Sequence, residues 1–332
     1  MQIFEVKNKN DWKDDASEFL QSWGYGEFLK SVGRNVERLE LKKNSGESEF
    51  AQYIVSPGPW GIMYVYMPRI NLNTDYIQML IPYFKKRGFA FVRVEPVNRM
   101  TVDSFKTKQT INRQPHFSWL LDINKDTELL LADMHPKTRY NIKLAEKRGV
   151  AIDESKNLDL YWNLNNETTK RNNFVTHPKE YIEQLLALGN VYQFNALLDG
   201  KAIASAIILV SNKKGIYFLG ASSDLHRNVM SPYLLHWSII KKLKELGCVA
   251  YDFWGIAQPS EEGKDSAECF HGYCWDSKDP LAGVSRFKAG FGGNLKVYPD
   301  ALDIILEPFK YVCVSLVKKV RGETIVGHPK KK

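Results

Sequence analysis

The stretch Met134-His-Pro-Lys-Thr-Arg-Tyr-Asn-Ile-Lys-Leu-Ala-Glu-Lys-Arg-Gly-Val150 lies near the middle of the chain, between two halves of similar pattern. Pro136 stands where the first turn of a helix tolerates proline, and Gly149 stands where a glycine commonly ends one. The spacing therefore predicts a short helix. Tyr140 and Leu144 lie one turn apart, so we expect both side chains to face inward.

The predicted helix is strongly basic. A single acid, Glu146, stands against its lysines and arginines, which are Lys137, Arg139, Lys143, Lys147 and Arg148. Charge alone fits a solvated helix face as well as a surface that binds polyanions. The chain of 332 residues carries a formal net charge of +8, which favours nucleic acid, a nucleotide-linked substrate or an anionic membrane surface as a partner.

Composition and cysteine usage indicate an ordinary soluble protein. A hydrophobic fraction of 44% and a charged fraction of 25% fit a globular chain of two domains. The sequence shows neither a signal segment nor about 18 successive apolar residues, so we expect a cytoplasmic protein. The spacing of the four cysteines is not typical of a disulfide framework, which fits a reducing cytosol. Cys269, His271 and Cys274 offer three zinc ligands without a fourth, so we predict no metal and no cofactor.

The order of helix and strand patterns predicts the fold class. A pair of helical patterns, a β-meander, a crossing helix and a further strand occur in each half of the chain. In the second half, Asp199-Gly200 joins two strand patterns as a two-residue hairpin turn. This order is expected of an α+β protein with two tandem GNAT-like (N-acyltransferase) domains, each a mixed sheet flanked by helices.

Motifs in one order along the chain resemble a known family. They are Phe19-Leu-Gln-Ser-Trp-Gly-Tyr-Gly-Glu-Phe-Leu-Lys30, Lys137-Thr-Arg-Tyr-Asn-Ile-Lys-Leu-Ala145, Gly220-Ala-Ser-Ser, Tyr233-Leu-Leu-His-Trp237, Tyr251-Asp-Phe-Trp-Gly255 and Gly283-Val-Ser-Arg-Phe-Lys-Ala-Gly-Phe-Gly-Gly293. The set resembles the Fem family (FemA, FemB and FemX) of aminoacyl-tRNA-dependent transferases, which build the cross-bridges of peptidoglycan. The resemblance extends over nearly the whole chain and is nearer to the compact FemX type.

The resemblance implies a domain division and a reaction. Residues 1–149 together with about 298–332 would form the first GNAT-like domain, and residues 150–297 the second. A cytoplasmic, monomeric aminoacyltransferase would move an amino acid from aminoacyl-tRNA to an amine of the peptidoglycan stem peptide. The acceptor would be UDP-MurNAc-pentapeptide or its lipid-linked form, lipid II.

The resemblance also implies site residues. Lys288 matches the family lysine of the aminoacyl-tRNA site and is preceded by Phe287, so both are candidate catalytic residues; the alternative for Lys288 is an ordinary surface lysine. The candidate contacts to the acceptor are Lys30, Arg227, Tyr233 and Tyr251. The alternative for Lys30 is an outward position on an amphipathic helix, and Tyr251 fits a position in the core equally well. The candidate contacts to tRNA are Arg139, Lys143 and Arg286. Glu95 is a weaker candidate for a general base, since a salt bridge with Arg93 or Arg69 would also explain it.

The residues themselves argue against acyl-CoA as the donor. GNAT enzymes bind its pyrophosphate on backbone N–H groups of a glycine-containing loop. Here the corresponding loop runs from Gly220 to Pro232 without further glycines, and Pro232 lacks an N–H. Two alternatives stay open: an N-acyltransferase with acyl-CoA or another small donor, and a non-catalytic basic module that binds RNA.

The stretch from Leu306 to Arg321 has an amphipathic pattern with both apolar and basic positions. Phe309, Val312 and Leu316 belong to the apolar set. The helix would either pack on the first domain or make a peripheral contact with the cytoplasmic face of the membrane, where a lipid-linked acceptor lies.

Overall fold

The computed structural model describes residues 2–14, 18–100, 102, 105–172, 175–263 and 266–321. These residues form two compact units. The first contains the described residues up to His116 and those from Tyr298 onward, and the second contains Phe117–Val297.

Helices and strands alternate along both units. Up to His116 they are β1 (Gln2–Glu5), α1 (Trp23–Ser31), β2 (Asn35–Lys42), β3 (Ser48–Pro57), β4 (Met63–Ile70), α2 (Thr74–Lys86), β5 (Phe91–Pro96) and β6 (Thr107–Thr110). The second unit contains β7 (Phe117–Asp122), α3 (Thr127–Asp133), α4 (Pro136–Lys147), β8 (Ala151–Asp153), α5 (Leu158–Asn172), α6 (Lys179–Leu186), β9 (Val191–Leu198), β10 (Lys201–Ser211), β11 (Lys214–Ser222), α7 (Ser231–Glu245), β12 (Ala250–Gly255), β13 (Ala267–Phe270), β14 (Tyr273–Asp276), α8 (Ala282–Ala289) and β15 (Asn294–Val297). The chain then returns to the first unit with β16 (Ala301–Ile305) and α9 (Pro308–Arg321).

The sheet of the first unit is completed by β16, the last strand among the described residues. In the described part, its order is β1-β2-β3-β4-β5-β16-β6. β4 and β5 run parallel, and β16 lies antiparallel to both β5 and β6. A buried ion pair links β16 to β5, with 2.8 Å between Arg93 Nε and Asp303 Oδ1. Arg93 and Asp303 are 210 positions apart in the sequence, so the first unit depends on residues from a much later part of the chain.

The sheet of the second unit has the order β15-β7-β12-β11-β10-β9-β8 among the described residues. β11 and β12 run parallel and are connected through α7. The predicted hairpin is confirmed: β9 and β10 are joined by Asp199 and Gly200, whose φ angles of 49° and 75° fit a type I′ turn. An apolar core that includes Trp119, Phe194 and Ile239 lies within this unit.

The predicted central helix is confirmed as α4, but the prediction of its buried face is wrong. His135 is its N-cap, with Nδ1 accepting from Lys137 N at 3.1 Å. The buried side chains are Thr138, Asn141, Ile142 and Ala145. Tyr140 is 63% exposed, because the neighbours that cover α4 lie on the opposite side of the helix. Thr138 faces α8 so closely that a Cβ on Gly290 would lie 2.5 Å from its Oγ1.

The boundary between the units differs from the predicted one. Residues 117–149 were expected in the first domain, yet they belong to the second unit. The reason is strand pairing, since β7 lies between β12 and β15 and forms antiparallel ladders with both. The predicted boundary after Gly149 is thus corrected to one after His116.

The expectation of unpaired cysteines is also corrected. Cys269 and Cys274 form a disulfide across the β13–β14 hairpin, while Cys248 and Cys313 are free. The hairpin register places the two cysteines directly opposite each other, with 4.0 Å between their Cα atoms. Sequence spacing did not indicate this pairing because it depends on a tight turn at His271 and Gly272, both with positive φ.

Within the part of the chain that the structure describes, no helix is both long enough and apolar enough to cross a bilayer.

Candidate active site

Helix α8 and the glycines after it position Lys288. Ser285 fixes the helix against the chain that follows β12, because its Oγ accepts the N–H of Ala257 at 2.8 Å. After the helix, Gly293 has a φ of 102°, and a Cβ there would lie 2.6 Å from the carbonyl oxygen of Leu120. Only glycine fits such a place. The glycine-rich run therefore holds the end of α8 close against β7.

Lys288 is buried although it is a lysine. Its side chain is 5% exposed, and Nζ donates to the carbonyl oxygen of Gly255 at 2.6 Å. Nζ also lies 5.6 Å from the centroid of the Tyr217 ring. Burial lowers the pKa of Lys288 to about 7, and the nearby carboxylate of Asp252 partly opposes that shift. Near neutral pH, Lys288 thus has both its charged and its neutral form available.

A bulge at the end of β12 supplies the carbonyl that Lys288 binds. Pairing with β7 shifts by one residue between Asp252 and Gly255. The Asp252 carboxylate stabilises the bulge by accepting from Trp254 N at 2.8 Å and from the hydroxyl of Ser118. Trp254 has a φ of 65°, a conformation that costs about 1–3 kcal/mol in a residue of this kind. Backbone strain is thus located beside the buried lysine.

A neutral histidine lies in the same cluster. His236, on α7, is buried, and its Nδ1 lies 2.8 Å from the hydroxyl oxygen of Tyr251. Burial, aided by the positive charge of Lys288, lowers the pKa of His236 to about 3. The ring of Tyr217 packs edge-on against it at 4.5 Å. The imidazole is uncharged at neutral pH and adds no second positive charge beside Lys288.

Phe287 and Tyr233 form a half-buried aromatic wall beside this cluster. The centroid of Phe287 lies 4.9 Å from that of Tyr233 and 5.2 Å from that of His236. Burial raises the pKa of Tyr233, so its phenol is protonated at neutral pH. The structure thus brings these two candidates together with Lys288. That either of them contacts a substrate remains a prediction.

Tyr251 requires a correction. It is 0% exposed, and its hydroxyl group is bonded to His236 rather than directed at solvent. Burial also raises its pKa well above the usual value. Of the two alternatives given by the sequence, the position in the core is the one observed. Tyr251 therefore packs behind His236 and does not line the site.

Sequence reasoning missed three members of the cluster: Tyr217, His236 and Asp252. His236 and Asp252 stand inside the motifs Tyr233-Leu-Leu-His-Trp237 and Tyr251-Asp-Phe-Trp-Gly255. A buried polar residue in an otherwise apolar run was the available signal. What it could not show is that both converge on Lys288.

Comparison with known proteins decides the family. The profile of the FemAB family matches residues 100–198 and 188–319. This chain belongs to the FemAB family. A curated relative, the lipid II:glycine glycyltransferase of Staphylococcus saprophyticus subsp. saprophyticus, is 22% identical over 231 residues. The matched region is 59% of this chain and 54% of the relative, so the chain spans about half the length of that protein.

Solved structures show the fold of this FemAB chain. A crystal structure of FemX has a TM-score of 0.74 at 18% identity, covering 94% of this chain and 99% of the other. A tandem GNAT protein from the clavulanic acid biosynthesis pathway has a TM-score of 0.51 at 9% identity, covering 92% and 99%. The predicted α+β class with two tandem GNAT-like domains is confirmed.

The remaining acceptor candidates of the FemAB chain are exposed. Arg227 lies on a short turn after β11, with its side chain 66% exposed and paired with Asp224. Lys30 belongs to the first unit; its side chain is 42% exposed, and its Nζ lies 3.0 Å from Glu27 Oε1. Both have an acidic neighbour that a phosphate would have to displace. Their contact with an acceptor remains a prediction.

The three candidate contacts to tRNA differ in whether their side chains are already bonded to other groups of the protein. Arg139 donates to the carbonyl oxygens of Leu131, Ala132 and Met134, so it binds the C-terminal end of α3. Arg286 is exposed but forms a two-pronged ion pair with Glu268, with 2.9 Å between Nε and Oε2. Lys143 is exposed on α4. Because Arg139 is bonded to the end of α3, it has a structural role within its own unit.

Glu95 is fully buried in the first unit. Its carboxylate accepts from the backbone N–H groups of Arg113, at 2.6 Å, and Gln114, at 3.1 Å. Burial raises its pKa above the usual value. Of the two arginines that the sequence suggested, Arg93 is paired with Asp303 instead, while the positive charge of Arg69 partly opposes the rise in the pKa of Glu95.

Proposed function

We propose that this FemAB-family protein is a cytoplasmic aminoacyltransferase. It moves an amino acid from aminoacyl-tRNA to an amine of the peptidoglycan stem peptide. The observation that carries the proposal is the buried lysine at the end of α8, Lys288, with a pKa of about 7. Family membership and the name of the glycyltransferase relative support the same reaction. The acceptor is a muramyl-pentapeptide carried either by UDP or by a lipid.

The reaction is the aminolysis of an ester. The acceptor nitrogen attacks the ester carbonyl carbon, the C–N bond forms, and the bond from that carbon to the ribose oxygen breaks. One proton leaves the nitrogen and one is gained by the ribose oxygen. Holding the two reactants together contributes on the order of 7–11 kcal/mol. The remaining requirements are stabilisation of an oxyanion and transfer of a proton.

Lys288 meets both requirements. In its charged form the ammonium group donates a hydrogen bond to the developing oxyanion and a proton to the departing ribose oxygen. In its neutral form it accepts the proton of the attacking amine. A pKa of about 7 keeps the two forms close in energy at neutral pH, which is the condition for efficient proton transfer. The carbonyl of Gly255 holds Nζ in position.

The surroundings of Lys288 support a nucleotide donor that is not acyl-CoA. Phe287 and Tyr233 are half-buried aromatic rings on which a terminal adenine can stack. The loop after β11 enters α7 through Met230, which has a φ of 59°, and Pro232, which has no N–H to offer. The loop therefore offers few backbone N–H groups to a pyrophosphate, which argues against an acyl-CoA donor.

The test incubates the protein with charged tRNAs and muramyl-pentapeptide and detects an added amino acid by mass spectrometry. We expect Lys288→Met to lower the rate of transfer by about 10²–10³-fold, as the loss of an oxyanion donor does. Lys288→Arg keeps a charge but cannot release its proton near neutral pH, so it should also be impaired. Lys278→Met, an exposed lysine in the same unit, is the matched control and should retain activity.

Two results would contradict the proposal. Unchanged turnover in Lys288→Met would remove Lys288 from the chemistry. Binding of tRNA with no transfer to the muramyl-pentapeptide, whichever amino acid is charged, would favour the non-catalytic RNA-binding alternative instead.

A further inference from the structure

Helix α9 carries two apolar faces, of which the described residues cover one. Tyr311 is 8% exposed and Val314 is 1% exposed, and both belong to a small core with Tyr64 and Phe91. This is the face by which α9 packs on the first unit. The packing predicted as one of two alternatives from the sequence is therefore present.

The second apolar face points away from that core. Phe309 is 82% exposed, Val312 is 51% exposed and Leu316 is 58% exposed. These three follow one another at helical spacings of three and four residues, which places them on one side of the helix, opposite Tyr311 and Val314. A surface helix ordinarily presents polar side chains there. In the described part of the chain, no side chain is recorded over this face.

A fourth large apolar side chain is exposed on a turn that packs on α9. Trp60, in the turn Pro59–Gly61, is 77% exposed and has a φ of 52°. The turn is held against the helix, since a Cβ on Gly58 would lie 3.1 Å from Cγ2 of Val314. Phe309, Val312 and Leu316 are called the α9 surface below, and Trp60 lies on the neighbouring turn. An indole on a rigid turn suits a boundary between water and lipid, having a large apolar ring and one N–H donor.

Positive charge accompanies the α9 surface. Lys310 Nζ donates to the carbonyl oxygen of Gly88 at 3.1 Å, which ties α9 to the end of α2, where Lys85 and Lys86 are exposed. In the sequence, residues 308–332 contain seven lysine or arginine residues and one glutamate. This segment alone supplies most of the formal net charge of +8.

We propose that the α9 surface docks on an anionic lipid bilayer. Its apolar side chains would enter the boundary between headgroups and acyl chains, and the neighbouring basic residues would meet anionic headgroups. Apolar contact and charge attraction together give stable attachment where either alone gives a weak one. The charge also disfavours a second copy as the occupant, since two copies that each carry a formal net charge of +8 repel each other.

The proposal does not depend on the transferase activity. If the acceptor is lipid-linked, docking would hold the protein at the surface that contains it. Attachment to lipid can nevertheless be measured with no donor or acceptor present.

The experiment is vesicle flotation with the full chain. Vesicles of phosphatidylcholine mixed with phosphatidylglycerol are compared with vesicles of phosphatidylcholine alone. We expect the protein to float with the anionic vesicles and to be released as the salt concentration rises. The double variant F309S/L316S should lower the partition coefficient by roughly tenfold or more, given the apolar area removed. Leu129→Ser, which changes a side chain 55% exposed on α3, is the matched control and should bind as the native protein does.

If F309S/L316S unfolds thermally at the same temperature as the native protein, its loss of binding is not caused by a loss of fold. The proposal is overturned if native protein and double variant bind anionic vesicles equally, or if the native protein binds neither kind of vesicle. It is also overturned if sedimentation shows a native dimer that the double variant abolishes, because the α9 surface would then be an interface between copies. Transfer to a soluble UDP-linked acceptor should be unchanged in the double variant. Lipid binding and transferase activity can therefore be refuted independently of each other.

Discussion

At the scale of single residues, the cost of burying Lys288 should be visible in the dependence of stability on pH. Its pKa falls from the usual value of 10.5 to about 7 on folding, so between these values the unfolded chain binds more protons than the folded one. The contribution of Lys288 to the free energy of unfolding therefore rises between about pH 7 and about pH 10.5, by up to about 1.4 kcal/mol per pH unit. Below pH 7, the charged lysine is buried at full cost.

The variant Lys288→Met removes that dependence. We expect it to be more stable than the native protein at pH 6, with the difference shrinking as the pH rises to 9.5. Urea unfolding of both proteins at several pH values measures this, and other titrating groups cancel in the comparison. A constant difference across the range would mean that Lys288 is charged in the folded state up to high pH, which would also remove the neutral form that the proposed mechanism requires.

At the scale of elements, the join between α8 and β15 is the most constrained part of the site. Gly293→Ala forces a side chain into a φ of 102° and against the carbonyl of Leu120. We expect it to lower the free energy of unfolding by about 3 kcal/mol. Gly283→Ala, inside α8 with open space around it, should instead be neutral or stabilise by about 0.5–1 kcal/mol. Denaturant unfolding of the two variants compares them directly, and equal effects would refute the role given to Gly293.

Local sequence signals predict some of these elements but not the direction of their side chains. Helix α4 and the turn at Asp199-Gly200 follow from local signals, a proline and a glycine at helix ends and a preferred turn dipeptide, so they were predicted correctly. The inward face of α4 was not, because spacing gives a helical stripe but does not say where the neighbours lie. Tyr140 was expected to face inward, whereas the buried side chains of α4 are Thr138, Asn141, Ile142 and Ala145.

The candidate site was only partly predictable for a related reason. Lys288 was found through a motif, but its burial and lowered pKa arise from a bulge in β12 and from residues on α7 and β11. Those contacts join positions up to about 70 residues apart, and such long-range contacts leave no local pattern. The disulfide between Cys269 and Cys274 is similar, since its geometry depends on the register of a short hairpin.

At the scale of the whole molecule, the two units differ in how their chain segments are arranged. The second unit is built from one continuous segment, Phe117–Val297. The first is built from two, and its second segment supplies β16, which lies between β5 and β6. The element order predicted two domains, but only strand pairing shows that β7 opens the second sheet.

This arrangement predicts different behaviour for two fragments. Residues 117–297 contain every described strand of the second sheet and should fold alone, with a cooperative thermal transition and dispersed amide signals. Residues 1–297 keep that unit but lack β16 and the Asp303 carboxylate, so Arg93 would lose the acidic member of its buried ion pair. Losing one member of a buried pair costs about 3–5 kcal/mol even before the strand itself is counted. We therefore expect the first unit to be unfolded in fragment 1–297, with protease digestion leaving a core that begins near residue 117. A protected core that begins at the N-terminus would instead show that β16 is dispensable for the first sheet.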